Sequence, residues 1–114
     1  MRRGEIWTVA GGPDYGGKPR PAVIVQDDRF DAIDSITVCG FTSKDVDAPL
    51  LRPLVEPSER NGLREPSRLM VDKLTTVPRA KLRHCIGRLD DEAVLQLNRA
   101  MVVFLGLAGP AASG

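Results

Sequence analysis

The chain has 114 residues, of which 42% are hydrophobic and 27% are charged, a composition typical of a globular domain and neither disordered nor collagen-like. One hydrophobic core fits this length, whereas a two-domain dinucleotide-binding enzyme or a large barrel enzyme needs a longer chain. Lys and Arg number 16 against 15 Asp and Glu, a net charge of +1, which excludes a protein that coats nucleic acid through overall charge alone.

The first half of the chain predicts three β-strands. Residues 4–10 alternate β-forming side chains on two faces, and a loop over 11–20 with four glycines and two prolines follows them. Pro21–Gln26 and Ser35–Phe41 are apolar runs typical of strands that are buried on both faces. We expect these two runs to be neighbours in the core, separated by an acidic turn or short helix over Asp27–Asp34.

The second half predicts shorter strands. A polar loop over 42–49 precedes an edge strand over Leu50–Val55, because Pro53 cannot donate to a ladder. After a turn region, three further elements are expected: a strand over Ser67–Leu74, a helical turn opened by Pro78 and a strand over His84–Leu89.

A helix over Asp91–Leu107 is the clearest prediction. Asp90 is a suitable N-cap, and Leu89 with Val94 fits a hydrophobic staple. Apolar side chains spread beyond one stripe of this helix, which predicts a second contact besides the sheet. The small-residue tail over 108–114 is expected to be frayed.

The two cysteines and the chain's apolar segments bear on metal binding and on location. Cys39 and Cys85 lack CxxC spacing and a histidine cluster, so we expect no metal site and no cofactor. Each cysteine lies in an apolar, strand-like run, so we expect both thiols to be buried and reduced. The N-terminal apolar stretch is too short for a signal peptide, and Ala100–Ala108 is too short to cross a membrane. The cytoplasm is therefore the expected compartment, with no membrane partner.

Charge is unevenly distributed along the chain. Residues 27–47 hold six acids and two bases, whereas residues 52–88 hold nine bases and four acids. A basic face of this kind is typical of a protein with a polyanionic partner, and a solvated surface with mixed ion pairs is the alternative that composition alone favours.

Arg20 and Thr42 are the residues best placed for chemistry. Arg20 begins one buried strand and Thr42 ends the other, so pairing of the strands brings both to one sheet end. A guanidinium fork and a hydroxyl suit a phosphate. From these residues alone, a surface arginine and a turn hydroxyl remain the favoured reading, and the single histidine, His84, is expected to be a structural or surface residue.

Six short motifs lie in the order found in a known family: Arg3-Gly4-Glu5-Ile6-Trp7, Arg20-Pro21-Ala22-Val23-Ile24-Val25, Phe41-Thr42-Ser43, Val71-Asp72-Lys73 followed by Thr75 or Thr76, Ile86-Gly87-Arg88-Leu89 and Leu105-Gly106-Leu107. Together they resemble the MazF/PemK toxins of toxin–antitoxin modules over nearly the whole chain. The resemblance implies a mainly β (α+β) fold, an SH3-like, strongly curved antiparallel barrel with a C-terminal helix and short connecting helices. We expect a single domain, with the barrel over about 2–89 and the helix over about 90–107.

The same resemblance implies a homodimeric, metal-independent endoribonuclease. It would cut single-stranded RNA at a short sequence by attack of the 2′-hydroxyl, giving 2′,3′-cyclic phosphate and 5′-hydroxyl ends. A cognate antitoxin would cover the RNA site. The alternative is a non-catalytic module of the same fold that acts on a protein such as DNA gyrase, because a fold by itself does not determine function.

The family's site residues can be matched to single positions of this sequence. Arg20 matches the arginine of the family's Arg-Pro motif and Thr42 matches the threonine after its third strand, the pair given catalytic roles. Met70 stands where some members have an arginine, and the first loop holds no histidine, so a His-Asp-Arg scheme is excluded. We expect the remaining RNA contacts from seven residues: Tyr15, Lys18, Ser43, Lys44, Arg68, Asp72 and Lys73. Trp7, Tyr15 and Phe41 are candidates for base stacking, with a place in the core or on the surface as the favoured alternative.

Overall fold

A computed structural model describes residues 1–11, 17–107 and 109. Its strands and its helix are β1 (Glu5–Val9), β2 (Arg20–Ile24), β3 (Ser35–Thr42), β4 (Leu54–Val55), β5 (Ser67–Leu69), β6 (Thr75–Pro78), β7 (Leu82–Arg88) and α1 (Asp91–Phe104). The described residues also form three single 3-10 turns, at Asp28–Phe30, Val71–Lys73 and Arg79–Lys81. The expected mainly β fold with a C-terminal helix is confirmed.

The sheet is antiparallel throughout and strongly curved. Its order is β4-β5-β3-β2-β1-β7, and β6 also pairs with β3. The long strand β3 is the centre of the half-barrel, because its first half pairs with β6 through Ile36 and Val77 and its last residues pair with β5 through Thr42 and Arg68. Its other edge pairs with β2 through Val23 and Cys39, which confirms that the two apolar runs are neighbours.

Both faces of the central strands are buried, as the apolar runs predicted. On one face Ile6, Val23 and Cys39 belong to a core that includes Leu97 of α1. Successive side chains of a strand point to opposite faces, and the alternate residues accordingly form a second, smaller core, whose buried members are Ala22, Ile24, Ile36, Val38 and Leu82. The helix thus covers one face and leaves the other to carry the cleft described below.

The helix begins as predicted and ends earlier. The Asp90 side chain accepts a hydrogen bond from the Ala93 N–H at 2.8 Å, as an N-cap does. Gly106 adopts φ +74°, and the N–H groups of Gly106 and Leu107 donate to the carbonyls of Val103 and Val102. This Schellman closure stops the helix at Phe104, three residues before the predicted end at Leu107.

Two predicted strands are shorter than expected. The strand over Leu50–Val55 is reduced to Leu54–Val55, because the N–H groups of Leu51 and Arg52 close a turn on the Ala48 carbonyl. The strand over Ser67–Leu74 stops at Leu69, since the Lys73 N–H donates to the Met70 carbonyl and forms a 3-10 turn. The bounds of the other predicted strands shift by one or two residues, and β6 (Thr75–Pro78) was not predicted.

The expectation of two buried cysteines is correct for one. Cys39 is buried in the core of the sheet, and its burial raises the pKa of the thiol to about 12. Cys85 is exposed on β7, which is the last strand in the order of the sheet. His84, on the same strand, is also exposed.

In the described part of the chain, no helix combines the length and the apolar character that a membrane span requires.

Candidate nucleic-acid interface

A cleft of about 700 Å³ opens where β2 begins and β3 ends. Ala22 of β2 pairs with Gly40 of β3, and Arg20 and Thr42 each lie two residues from that pair along their strands, so their side chains point to the face of Ala22 and Gly40. Residues opposite each other in a sheet point to the same face. Arg20 and Thr42 therefore both line the cleft, on the face not covered by α1.

The wall of the cleft combines an apolar floor with polar groups at its rim. The floor includes Ala22, Val38 and Gly40, where strand side chains are small or absent. A Cβ on Gly40 would lie 3.1 Å from the Met70 Cε atom, so glycine at this position leaves room for Met70. The polar rim consists of Arg20, Thr42, Ser43, Glu65, Ser67, Lys73 and Thr75.

The Thr42 hydroxyl is oriented by the backbone. Its Oγ1 accepts a hydrogen bond from the Lys44 N–H at 3.2 Å, and the residue is half-buried. A hydroxyl has two acceptor sites and one donor. Since the backbone occupies an acceptor site, the O–H remains available to donate to an oxygen in the cleft.

Two exposed cations line the cleft. Arg20 lies at the start of β2, and Lys73 ends the 3-10 turn that separates β5 from β6. Among the described residues, Glu65 is the one acid that lines the cleft, so the described lining carries a net positive charge. Such a surface favours a phosphate backbone over a neutral ligand.

Two predicted RNA-binding residues have other partners. The Asp72 carboxylate is held by the Arg52 guanidinium through two hydrogen bonds of 2.6 and 3.0 Å, and these hold the pKa of Asp72 below its usual range. Arg68 donates to Asp45 at 2.9 Å and to the Arg52 carbonyl at 2.9 Å. Neither Asp72 nor Arg68 lines the cleft, and each charge is engaged by a residue from the preceding loop.

The remaining predicted residues divide into three groups. Ser43 and Lys73 line the cleft. Lys18 and Lys44 are exposed and stand outside its lining. Tyr15 lies outside the described residues.

The two aromatic candidates among the described residues, Phe41 and Trp7, lie in different places. Phe41 lines the cleft and also packs against the larger core. Trp7 packs against the smaller core, and its Nε1 donates to Glu5 at 3.0 Å. Phe41 is therefore the better placed of the two to meet a base.

No cluster of three or more His, Cys, Asp or Glu side chains suited to a metal ion occurs among residues 1–11, 17–107 and 109.

Sequence reasoning did not single out Glu65, Ser67 and Thr75 as site residues. Thr75 reaches the cleft because it pairs with Val38 of the floor, and that register depends on where β6 begins. Glu65 lies in a turn region of mixed charge, and nothing in its local sequence distinguishes it from exposed acids elsewhere. Only the three-dimensional path of the chain brings it to the cleft.

A family model of PemK-like, MazF-like toxins of type II toxin–antitoxin systems matches residues 2–105. The chain belongs to this family. It is 55% identical over 109 residues to a protein named probable endoribonuclease MazF from Mycolicibacterium smegmatis, across 96% of this chain and 100% of the relative. It is 30% identical over 116 residues to endoribonuclease MazF9 from Mycobacterium tuberculosis, across 94% of this chain and 98% of that protein.

The fold of the MazF-like toxins extends over the chain. A mycobacterial endoribonuclease, solved in complex with its cognate antitoxin, matches with a TM-score of 0.77 at 21% identity, across 96% of this chain and 99% of that one. MazF from Deinococcus radiodurans in a MazE-MazF complex matches with a TM-score of 0.74 at 13% identity, across 95% and 98% of the two chains. The family resemblance carried by the six motifs is thus confirmed.

Proposed function

We propose that this MazF-like toxin is an endoribonuclease that cuts single-stranded RNA at a short sequence in the Arg20–Thr42 cleft. The observation that carries the proposal is the convergence of a guanidinium and a backbone-oriented hydroxyl at one end of a positively lined cleft. The two curated relatives named as endoribonucleases support the reaction class. They also make the gyrase-directed alternative the less favoured one.

The nucleophile in this proposal is the RNA's own 2′-hydroxyl. Its oxygen attacks the adjacent phosphorus, the bond from phosphorus to the 5′-oxygen breaks, and one proton moves overall from the 2′-hydroxyl to the 5′-oxygen. The products are a 2′,3′-cyclic phosphate and a 5′-hydroxyl. Donors aimed at the charge that develops on the phosphoryl oxygens provide the main stabilisation.

Arg20 and Thr42 have separate roles. Arg20 donates two parallel hydrogen bonds to the scissile phosphate and offsets its growing negative charge, since a guanidinium remains protonated throughout the physiological range. Thr42 donates its O–H to a non-bridging oxygen, a role open to it because the Lys44 N–H occupies its acceptor side. Lys73 binds a neighbouring phosphate.

A cognate antitoxin and a second copy of the chain complete the proposal. The antitoxin complexes among the related structures support an inhibitory partner.

The end of α1 supports a homodimer, because Val103, Phe104 and Leu105 are each at least 44% exposed and an apolar patch of this kind favours an isologous contact. Light scattering should give the mass of a dimer, and a monomer mass at all concentrations would contradict this part.

The test compares matched variants on a long RNA. Arg20→Ala and Thr42→Ala should each lower the cleavage rate by about 10²- to 10³-fold, the usual effect of losing one such donor. The controls are Arg83→Ala and Thr76→Ala, which remove the same side chains at exposed positions outside the cleft lining. Circular dichroism establishes that all four variants fold. Full activity in Arg20→Ala would overturn the proposal, as would intact RNA with the unmodified chain.

A further inference from the structure

Glu65 introduces a carboxylate into a cleft otherwise suited to phosphate. It is the one acidic side chain among the described residues that line the cleft, and the cations Arg20 and Lys73 line the same space. A carboxylate beside an RNA backbone repels phosphate. Its presence therefore calls for a part of the RNA that donates hydrogen bonds.

Within the part of the chain that the structure describes, the Glu65 carboxylate takes part in no ion pair. Among the described residues none of the six ion pairs includes it. The nearby acids differ in this respect, since Asp72 is held by Arg52 and Asp45 by Arg68. An exposed, unpaired carboxylate in a binding cleft is available to a ligand.

The backbone at Glu65 is held in place. The Ser67 hydroxyl donates to the Glu65 carbonyl at 3.0 Å, and Ser67 is only 7% exposed. Upstream, the buried Asn61 side chain accepts from the Leu63 N–H at 2.9 Å and donates to the Glu56 carbonyl at 2.8 Å. The carboxylate thus projects from a fixed segment, which lowers the entropic cost of a specific contact.

The chemistry of the base edges restricts what the carboxylate can recognise. An ionised carboxylate only accepts hydrogen bonds, and guanine, adenine and cytosine each carry an exocyclic amino group that donates. Uracil carries none, and its one ring N–H lies between two carbonyl oxygens that repel a carboxylate. A carboxylate facing a base edge therefore favours an amino-bearing base over uracil.

We propose that Glu65 is a specificity-determining residue that excludes uracil at one position of the RNA target by accepting a hydrogen bond from the exocyclic amino group of the base bound there. This inference rests on the proposed ribonuclease function and deepens it. Glu65 positions the RNA, and Arg20 and Thr42 act on the phosphate.

The test compares the unmodified chain with Glu65→Gln and with the control Glu59→Gln. Glu59 is exposed and outside the cleft lining, so the control makes the same change of charge elsewhere. A transcript mixture is digested with each protein, and the ends of the products are sequenced to define the preferred base at every target position. Rates are then measured on four RNAs that differ only at the position where uracil is excluded.

We expect the unmodified chain and Glu59→Gln to discriminate against uracil at one position. In Glu65→Gln this discrimination should fall by about 5- to 150-fold, the range expected for one good side-chain contact to a base, because a glutamine amide can also donate to a uracil carbonyl.

Three results would overturn the inference. One is an unchanged base profile in Glu65→Gln, and a second is an unmodified chain that accepts uracil at every position it reads. The third is an equal loss of rate on all four RNAs, which would assign Glu65 to the chemical step. If the unmodified chain cuts no RNA, the proposed function itself fails, and this inference fails with it.

Discussion

Asp72→Asn distinguishes a structural role for Asp72 from the RNA-binding role that its sequence motif implies. The Asp72 side chain is 26% exposed and that of Arg52 is 14% exposed. The pair joins the loop before β4 to the 3-10 turn that carries Lys73, next to a backbone hydrogen bond of 3.1 Å from Val71 to Leu51. Loss of a bidentate, partly buried charged contact should lower the free energy of unfolding by about 1.5–3 kcal/mol.

The effect should depend on pH with a definite sign. The hydrogen bonds from Arg52 lower the pKa of Asp72 from its ordinary 3.8. A group whose pKa is lower in the folded state contributes stability that is fully present above its unfolded pKa and is lost as the pH falls through the folded value. The stability difference between the unmodified chain and Asp72→Asn should therefore be constant near pH 7 and shrink below about pH 4.

Urea unfolding at a fixed protein concentration measures this difference, because the stability of a dimer depends on concentration. The control is Asp45→Asn, which breaks the pair with Arg68. The Asp45 side chain is 86% exposed, so its loss should cost less than about 1 kcal/mol. Unchanged stability in Asp72→Asn, together with a large loss of RNA cleavage, would refute the structural assignment and support the RNA-binding role.

Two further predictions concern the cleft and the loop beside β7. Lys73→Gln should weaken RNA binding and reduce the slope of log affinity against log salt by about 0.7, the contribution of one phosphate contact to a single strand. A filter-binding series at several salt concentrations measures this slope. An unchanged slope would show that Lys73 does not contact the RNA. Gly62→Ala should destabilise the fold by more than about 2 kcal/mol, because Gly62 has φ +70° and a Cβ there would lie 2.2 Å from the Ile86 carbonyl oxygen. Gly17→Ala has similar backbone strain, φ +76°, but no atom of the described residues lies within 4 Å of the Cβ, so thermal unfolding should show a clearly smaller loss, and equal losses would contradict the steric argument.

Local signals made part of the fold predictable from the sequence. The start of α1 follows from the Asp90 cap, and the central strand pair follows from two apolar runs that only a doubly covered sheet can bury. The end of α1 was missed because Gly106 closes the helix before the apolar pattern ends. The pattern of apolar residues predicts a helix that runs to the last of them, whereas the positive φ of Gly106 ends the helix earlier.

The candidate site was predictable to the extent that it depends on adjacent strands. Arg20 and Thr42 flank two apolar runs, so their convergence followed from pairing those runs. The partners of Arg68 and Asp72 were not predictable, because they come from the preceding loop, 16 to 23 residues away in sequence. Sequence shows a charge but not the opposite charge that neutralises it.

Cleavage of an RNA with a single altered sugar tests the central claim most directly. An oligonucleotide that contains the preferred target is compared with the same oligonucleotide carrying 2′-deoxyribose at the scissile nucleotide, and mass spectrometry identifies the ends. If the 2′-hydroxyl is the nucleophile, the unmodified RNA gives 2′,3′-cyclic phosphate and 5′-hydroxyl ends, and the altered RNA remains intact. Efficient cleavage of the altered RNA at the same bond would contradict the account.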